Sequence, residues 1–127
     1  MRNLKLILAI IWTILILIGC FISGSKIPKI NAPIYGFDKF VHATFYFGLV
    51  ILWLNYILAI NKLSFKTTVI VLVSAFCFGL VIEILQSYLT VDRSGDVFDM
   101  LANTCGIGIG LVAFHIFKHY FTKTKTL

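Results

Sequence analysis

The chain has 127 residues, 60% of them hydrophobic and only 13% charged, with a mean hydropathy of +1.00. Eleven Lys/Arg and five Asp/Glu cannot cover a water-soluble fold of this size, so the apolar excess must face lipid. This excludes a disordered chain and a water-facing enzyme, and with two prolines and no low-complexity tract it predicts one domain over residues 1–127.

A spanning helix needs about 20 apolar residues, and four windows meet that need. The first, residues 4–23, holds an apolar run of about 18 residues, longer than the core of a cleaved signal peptide, and is read as a retained anchor. Within it, Leu17-Ile18-Gly19-Cys20 resembles a lipoprotein processing site, but cleavage there would discard a span; an intact mass decides between them. A loop with Pro28 and Pro33 follows. The second window is residues 39–60, the third 67–88 after a short turn at 61–66, and the fourth 97–117 after a polar segment at 89–96. The predicted fold class is all-α: an integral membrane bundle of four transmembrane helices.

With both termini cytoplasmic, Arg2, Lys5, Lys62, Lys66, Lys118, Lys123 and Lys125 lie inside, and Lys26, Lys29, Lys39 and Arg93 outside. The positive-inside bias favours this orientation. The net charge of +6 then reads as a topology signal and an attraction to an anionic leaflet. No basic stripe with interleaved aromatics supports nucleic-acid binding. The same orientation gathers all five acidic residues, Asp38, Glu83, Asp92, Asp96 and Asp99, on or near the outer side.

Asp38, His42 and Tyr46 are spaced four apart and share one helical face, with Lys39 beside them. Asp38 alone reads equally well as a helix N-cap. His42, one turn from a carboxylate, is a competent proton donor or acceptor. Glu83 and Gln86 fall three apart near the outer end of the third span. A carboxylate central in a bilayer costs up to about 3 kcal/mol, so Glu83 faces protein or a wet cavity, either as a functional group or in an ion pair with Arg93 or Lys39. Asp96 and Asp99 fit the positive start of the fourth helix. Asn103, a buried amide, needs Asp99, Gln86 or a substrate as its partner. Arg93 has the shape to hold a phosphate bidentately, or to pair with its acidic neighbours.

Gly106 and Gly110 have the small-xxx-small spacing of close helix packing. His115 and His119 are four apart without an acidic partner between them and read as interfacial, so no metal site and no cofactor is expected. Cys20, Cys77 and Cys105 lack CxxC spacing and read as free thiols in the core.

Taken together, Asp38-Lys39-x-x-His42-x-x-x-Tyr46, Glu83-x-x-Gln86 and Arg93-x-x-Asp96-x-x-Asp99-x-x-x-Asn103-x-x-Gly106 resemble the signature of the VanZ-like family of small bacterial membrane proteins, over about residues 10–115. Trp12 and the Ser23–Pro28 exit add a weaker echo. Asp92 is a departure, standing where the family more often has a glycine-containing turn. The resemblance implies a multi-pass protein of the bacterial cytoplasmic (inner) membrane. The family is named for a protein associated with resistance to teicoplanin, a lipoglycopeptide acting on cell-wall precursors, and the resemblance implies that area of envelope biology without implying a reaction.

The first functional expectation is an outward-facing polar site that binds or modifies an envelope lipid or lipid-linked ligand. Lys39 and Arg93 hold its anionic head group, His42 and Glu83 form the acid/base pair, and Gln86 and Asn103 orient it. The alternative is a non-enzymatic helical scaffold, a homo-oligomer or a subunit docked to a larger membrane protein through the Gly106 to Gly110 face. Transport fits less well, because no charged residue lies at the mid-depth of any span.

Overall fold

The computed structural model describes residues 1–22, 36–89 and 97–123. Four helices make up these segments: α1 (Arg2–Phe21), α2 (Phe37–Ala59), α3 (Phe65–Leu89) and α4 (Val97–Lys123). At 1.5 Å per residue each is long enough to cross the hydrocarbon layer, and each is apolar enough to do so.

Local chemistry sets the helix starts. Gly36 takes a left-handed φ of 91° immediately before α2, a conformation glycine adopts without steric cost. Asp38, read from sequence as a possible cap, therefore lies inside the first turn, where its carboxylate complements the positive helix end. Helix α3 begins at Phe65, two residues before the expected start. Ser64 and Thr67 form a reciprocal cap there: the Thr67 amide donates to Ser64 Oγ at 3.2 Å and the Ser64 amide to Thr67 Oγ1 at 2.8 Å. Helix α4 runs on to Lys123, past the expected end at Phe117, since neither glycine nor proline interrupts residues 118–123.

Successive helices alternate in direction, and α2 is central, touching the other three. Ile16, Tyr46, Val50, Leu54, Ile82 and Phe114 form the core between them. Large side chains such as Ile7, Val73, Val81, Ile109 and Val112 point outward, as they do where the surrounding solvent is lipid. Lipid tails are as apolar as leucine, so the helices are held by close packing and interhelical hydrogen bonds rather than by apolar burial.

Both devices are present. A Cβ on Gly106 would collide with the Ala43 carbonyl oxygen, and one on Gly110 would stand 3.0 Å from that of Phe47. The small-xxx-small face is therefore used within the chain, to bring α4 onto α2. Between α1 and α2, the Trp12 ring lies over Gly48, its Nε1–H donates to the Phe45 carbonyl at 2.9 Å, and Lys5 Nζ donates to Asn55 Oδ1 at 2.9 Å. Trp12→Phe removes the indole donor and should destabilise the bundle by about 1 kcal/mol from the hydrogen bond alone, read as a lower midpoint in detergent-mediated unfolding.

Of the three cysteines expected in the core, only Cys20 is buried; Cys77 and Cys105 face outward. Cysteine is apolar enough to sit against lipid, so hydropathy alone does not assign it to the core. An apolar cleft of about 410 Å³ opens between α1, α2 and α3, lined by Thr13, Leu49, Trp53, Ala75 and Phe78 among others.

Candidate functional site

At the end of the bundle where α2 and α4 begin and α3 finishes, three helices bring polar side chains together. Helix α2 contributes Lys39, His42 and Tyr46, α3 contributes Glu83 and Gln86, and α4 contributes Asp99 and Asn103. His42, Tyr46, Glu83, Gln86 and Asn103 are all buried, the least covered being His42 at 6% exposed. Asp99 keeps 16% of its side chain accessible and Lys39 36%, so the cluster grades from a sealed interior to an open rim.

His42 is the hub. Its Nδ1 lies 3.0 Å from Asn103 Oδ1 and 3.8 Å from Glu83 Oε1. Both neighbours are acceptors, so Nδ1 carries a proton and donates to the Asn103 carbonyl oxygen. The Asn103 Nδ2 end points toward Met100 Sδ at 4.0 Å, which is consistent with that orientation of the amide. Asn103 therefore holds the imidazole of the neighbouring helix in one tautomer, with Glu83 alongside.

Lys39 spans the rim, with Nζ 3.1 Å from Asp38 Oδ2 and 3.4 Å from Asp99 Oδ1. An exposed pair of this kind adds little stability. Its consequence is positional: one ammonium is kept at the mouth of a buried carboxylate and imidazole.

Gln86 also binds backbone. Its Nε2 donates to the Cys20 carbonyl at 2.7 Å. Cys20 lies in the last turn of α1, where backbone carbonyls have no acceptor role left within the helix, and the amide supplies the missing partner while tying α1 to α3. Tyr46 is fully covered beneath the cluster, its hydroxyl near Asn103 Nδ2. Both atoms lie 3.1 Å from where a Cβ on Gly79 would stand. Gly79 thus makes room for two polar side chains, a role that a lone glycine in an apolar run does not announce.

The structure brings together Asp38, Lys39, His42, Tyr46, Glu83, Asp99 and Asn103. Arg93 and Asp96 lie outside the described residues. His115 and His119 are exposed at the opposite end, where His115 Nδ1 lies 3.0 Å from the Leu111 carbonyl and the His119 ring sits beside Tyr120, tilted by 40° with centroids 4.0 Å apart.

A family model described as VanZ/LLP1 matches residues 5–118, nearly the whole chain. The chain belongs to the VanZ/LLP1 family. Membership and the four apolar helices together make it a multi-pass membrane protein. The match spans all four helices, so this VanZ/LLP1 member carries the polar cluster within the matched region. No curated protein and no solved structure matches it.

Proposed function

We propose that the polar end of the bundle is an outward-facing site for an anionic envelope ligand, a lipid or a lipid-linked cell-wall intermediate, in the bacterial cytoplasmic membrane. Both termini are cytoplasmic in this reading, as the distribution of Lys and Arg favours. The observation that carries it is the burial of His42 and Glu83 with their polar atoms 3.8 Å apart, beneath a rim that holds Lys39. Ionisable groups inside a membrane are expensive, and their usual role is functional.

Lys39 receives the anionic head group, with Arg93 as a second cation for it. His42 and Glu83 are the proton-exchanging pair within reach of it, and Asn103 positions the imidazole. Asp38 and Asp99 set the charge of the rim, while Gln86 and Tyr46 support it from below. Gly106 and Gly110 are occupied by α2, which leaves that face unable to dock a second protein in the scaffold reading.

The test is the susceptibility of a sensitive bacterial host expressing the wild-type chain or the Glu83→Gln, Asp99→Asn double variant at matched membrane abundance. Wild type should protect selectively against the lipid-tailed teicoplanin over vancomycin, and the variant should not. Equal protection by both would remove the polar site from the mechanism. No protection by wild type would detach the chain from glycopeptide biology.

A further inference from the structure

We propose that His42, Glu83 and Asp99 form a binding site for a divalent cation of the zinc or manganese class. The inference goes beyond the head-group reading and does not require it, since a cation can be held here whether or not a lipid is bound.

One imidazole nitrogen of His42 and one carboxylate oxygen each of Glu83 and Asp99 lie within 4.8 Å of one another. Tetrahedral ligands at about 2.1 Å from a common ion sit about 3.4 Å apart, so side-chain shifts of up to about 1 Å bring the three donors to coordination distance. Each comes from a different helix, the arrangement by which helical bundles build metal sites in their cores. The donor chemistry is suited to the ion: imidazole favours zinc and carboxylate oxygens favour manganese. Two carboxylates offset its charge in a setting where an isolated dication would be prohibitive.

Two further observations point to a guest in this place. Asn103 Oδ1 holds His42 Nδ1 at 3.0 Å, as an outer partner that fixes a ligating histidine does. The Tyr46 hydroxyl, on a side chain with no exposure at all, has no hydrogen-bond partner among the described residues. It ends beside Asn103, level with Gly79, one helical turn from Glu83. A buried hydroxyl without a partner costs about 1–3 kcal/mol, and water carried on a cation in the cluster is a strong donor from which the hydroxyl oxygen would accept. Ligation needs ionised carboxylates and an unprotonated imidazole nitrogen, so binding of the ion should weaken as the pH falls. Lys39, 3.4 Å from Asp99 Oδ1, is its competitor: an ammonium that must move aside when the ion enters.

The experiment measures Zn²⁺ and Mn²⁺ retained by the purified full chain in lipid nanodiscs after removal of free metal, with affinities from competition against a chromophoric chelator. Wild type should retain about one ion per chain, and Glu83→Gln and Asp99→Asn should each weaken binding roughly tenfold or more. Asp99 sits at the half-open rim, so its variant keeps the test valid if Glu83→Gln fails to fold. Lys39→Gln should bind several-fold more tightly, because it removes the competing charge; a merely structural ion-pair network gives no such gain. The His115→Ala, His119→Ala double variant should bind as wild type does. Retention of neither metal by wild type overturns the proposal. So do undiminished binding by Glu83→Gln and Asp99→Asn, weaker binding by Lys39→Gln, and loss confined to the His115, His119 variant.

Discussion

Gly106→Val should abolish or severely reduce folded protein, while Gly108→Ala, two residues away on the same helix, should leave it intact. The contrast follows from what a side chain meets at each site. At Gly106 even the first added carbon collides with the Ala43 carbonyl oxygen, whereas at Gly108 a Cβ finds nothing within 4 Å. Overpacking a core typically costs about 1–3 kcal/mol. The valine should reach the upper part of that range or exceed it, because the obstacle is helix backbone, which cannot rotate away as a side chain can. Separating α2 from α4 would also pull His42 from Asn103, so the loss should extend to the polar cluster. At the lipid-facing Gly108, alanine should instead stabilise the helix slightly, by up to about 1 kcal/mol. Monodisperse yield after detergent extraction and the midpoint of unfolding read both effects. Equal behaviour of the two variants would show that α4 does not lie on α2 through this face.

Asn103→Leu should destabilise the bundle by about 1–3 kcal/mol and silence the site, even though leucine is similar in size. Asn103 is 1% exposed and accepts from His42 Nδ1. Removing the acceptor leaves a buried N–H without its partner, which costs the full desolvation of that group. Asn103→Asp keeps an oxygen in reach of the imidazole and should recover part of the stability. The unfolding midpoint and the histidine ring NMR signals separate the cases: Asn103→Leu should broaden or shift the His42 resonances, and Asn103→Asp should restore a single bonded state. Equal stability in both variants would mean that the 3.0 Å contact does not hold the imidazole.

Much of this was legible from residue types. The need to bury an apolar surface in lipid required four spans, and the four-residue spacing of Asp38, His42 and Tyr46 put them on one face before any coordinates. The order of the spans put Asp38, Glu83 and Asp99 at one end. What hydropathy does not contain is register between helices. A slide of one turn changes no residue's depth enough to show in composition, yet it decides whether His42 meets Glu83 and Asn103 or misses them. Gln86 illustrates the limit. Its position on α3 was evident, but its partner is a backbone carbonyl at the end of α1, and every helix end offers such carbonyls. The cysteines show a second limit, since lipid and core are both apolar and a thiol suits either. Gly48 and Gly79 show a third: a glycine that admits a Trp12 ring or a Tyr46 hydroxyl reads the same in sequence as one that admits nothing.

The central claim, that the polar end of the bundle receives an anionic head group, is tested most directly by thermal stability. The measurement is the melting temperature of the full chain in neutral phosphatidylcholine nanodiscs as phosphatidylglycerol is titrated in, for wild type and for Lys39→Gln, Arg93→Gln. A ligand that binds the folded state stabilises it by about 2.7 kcal/mol at a hundredfold excess over its Kd. Tm should rise saturably for wild type and little or not at all for the variant. Equal rises in both, or none in either, would contradict that claim.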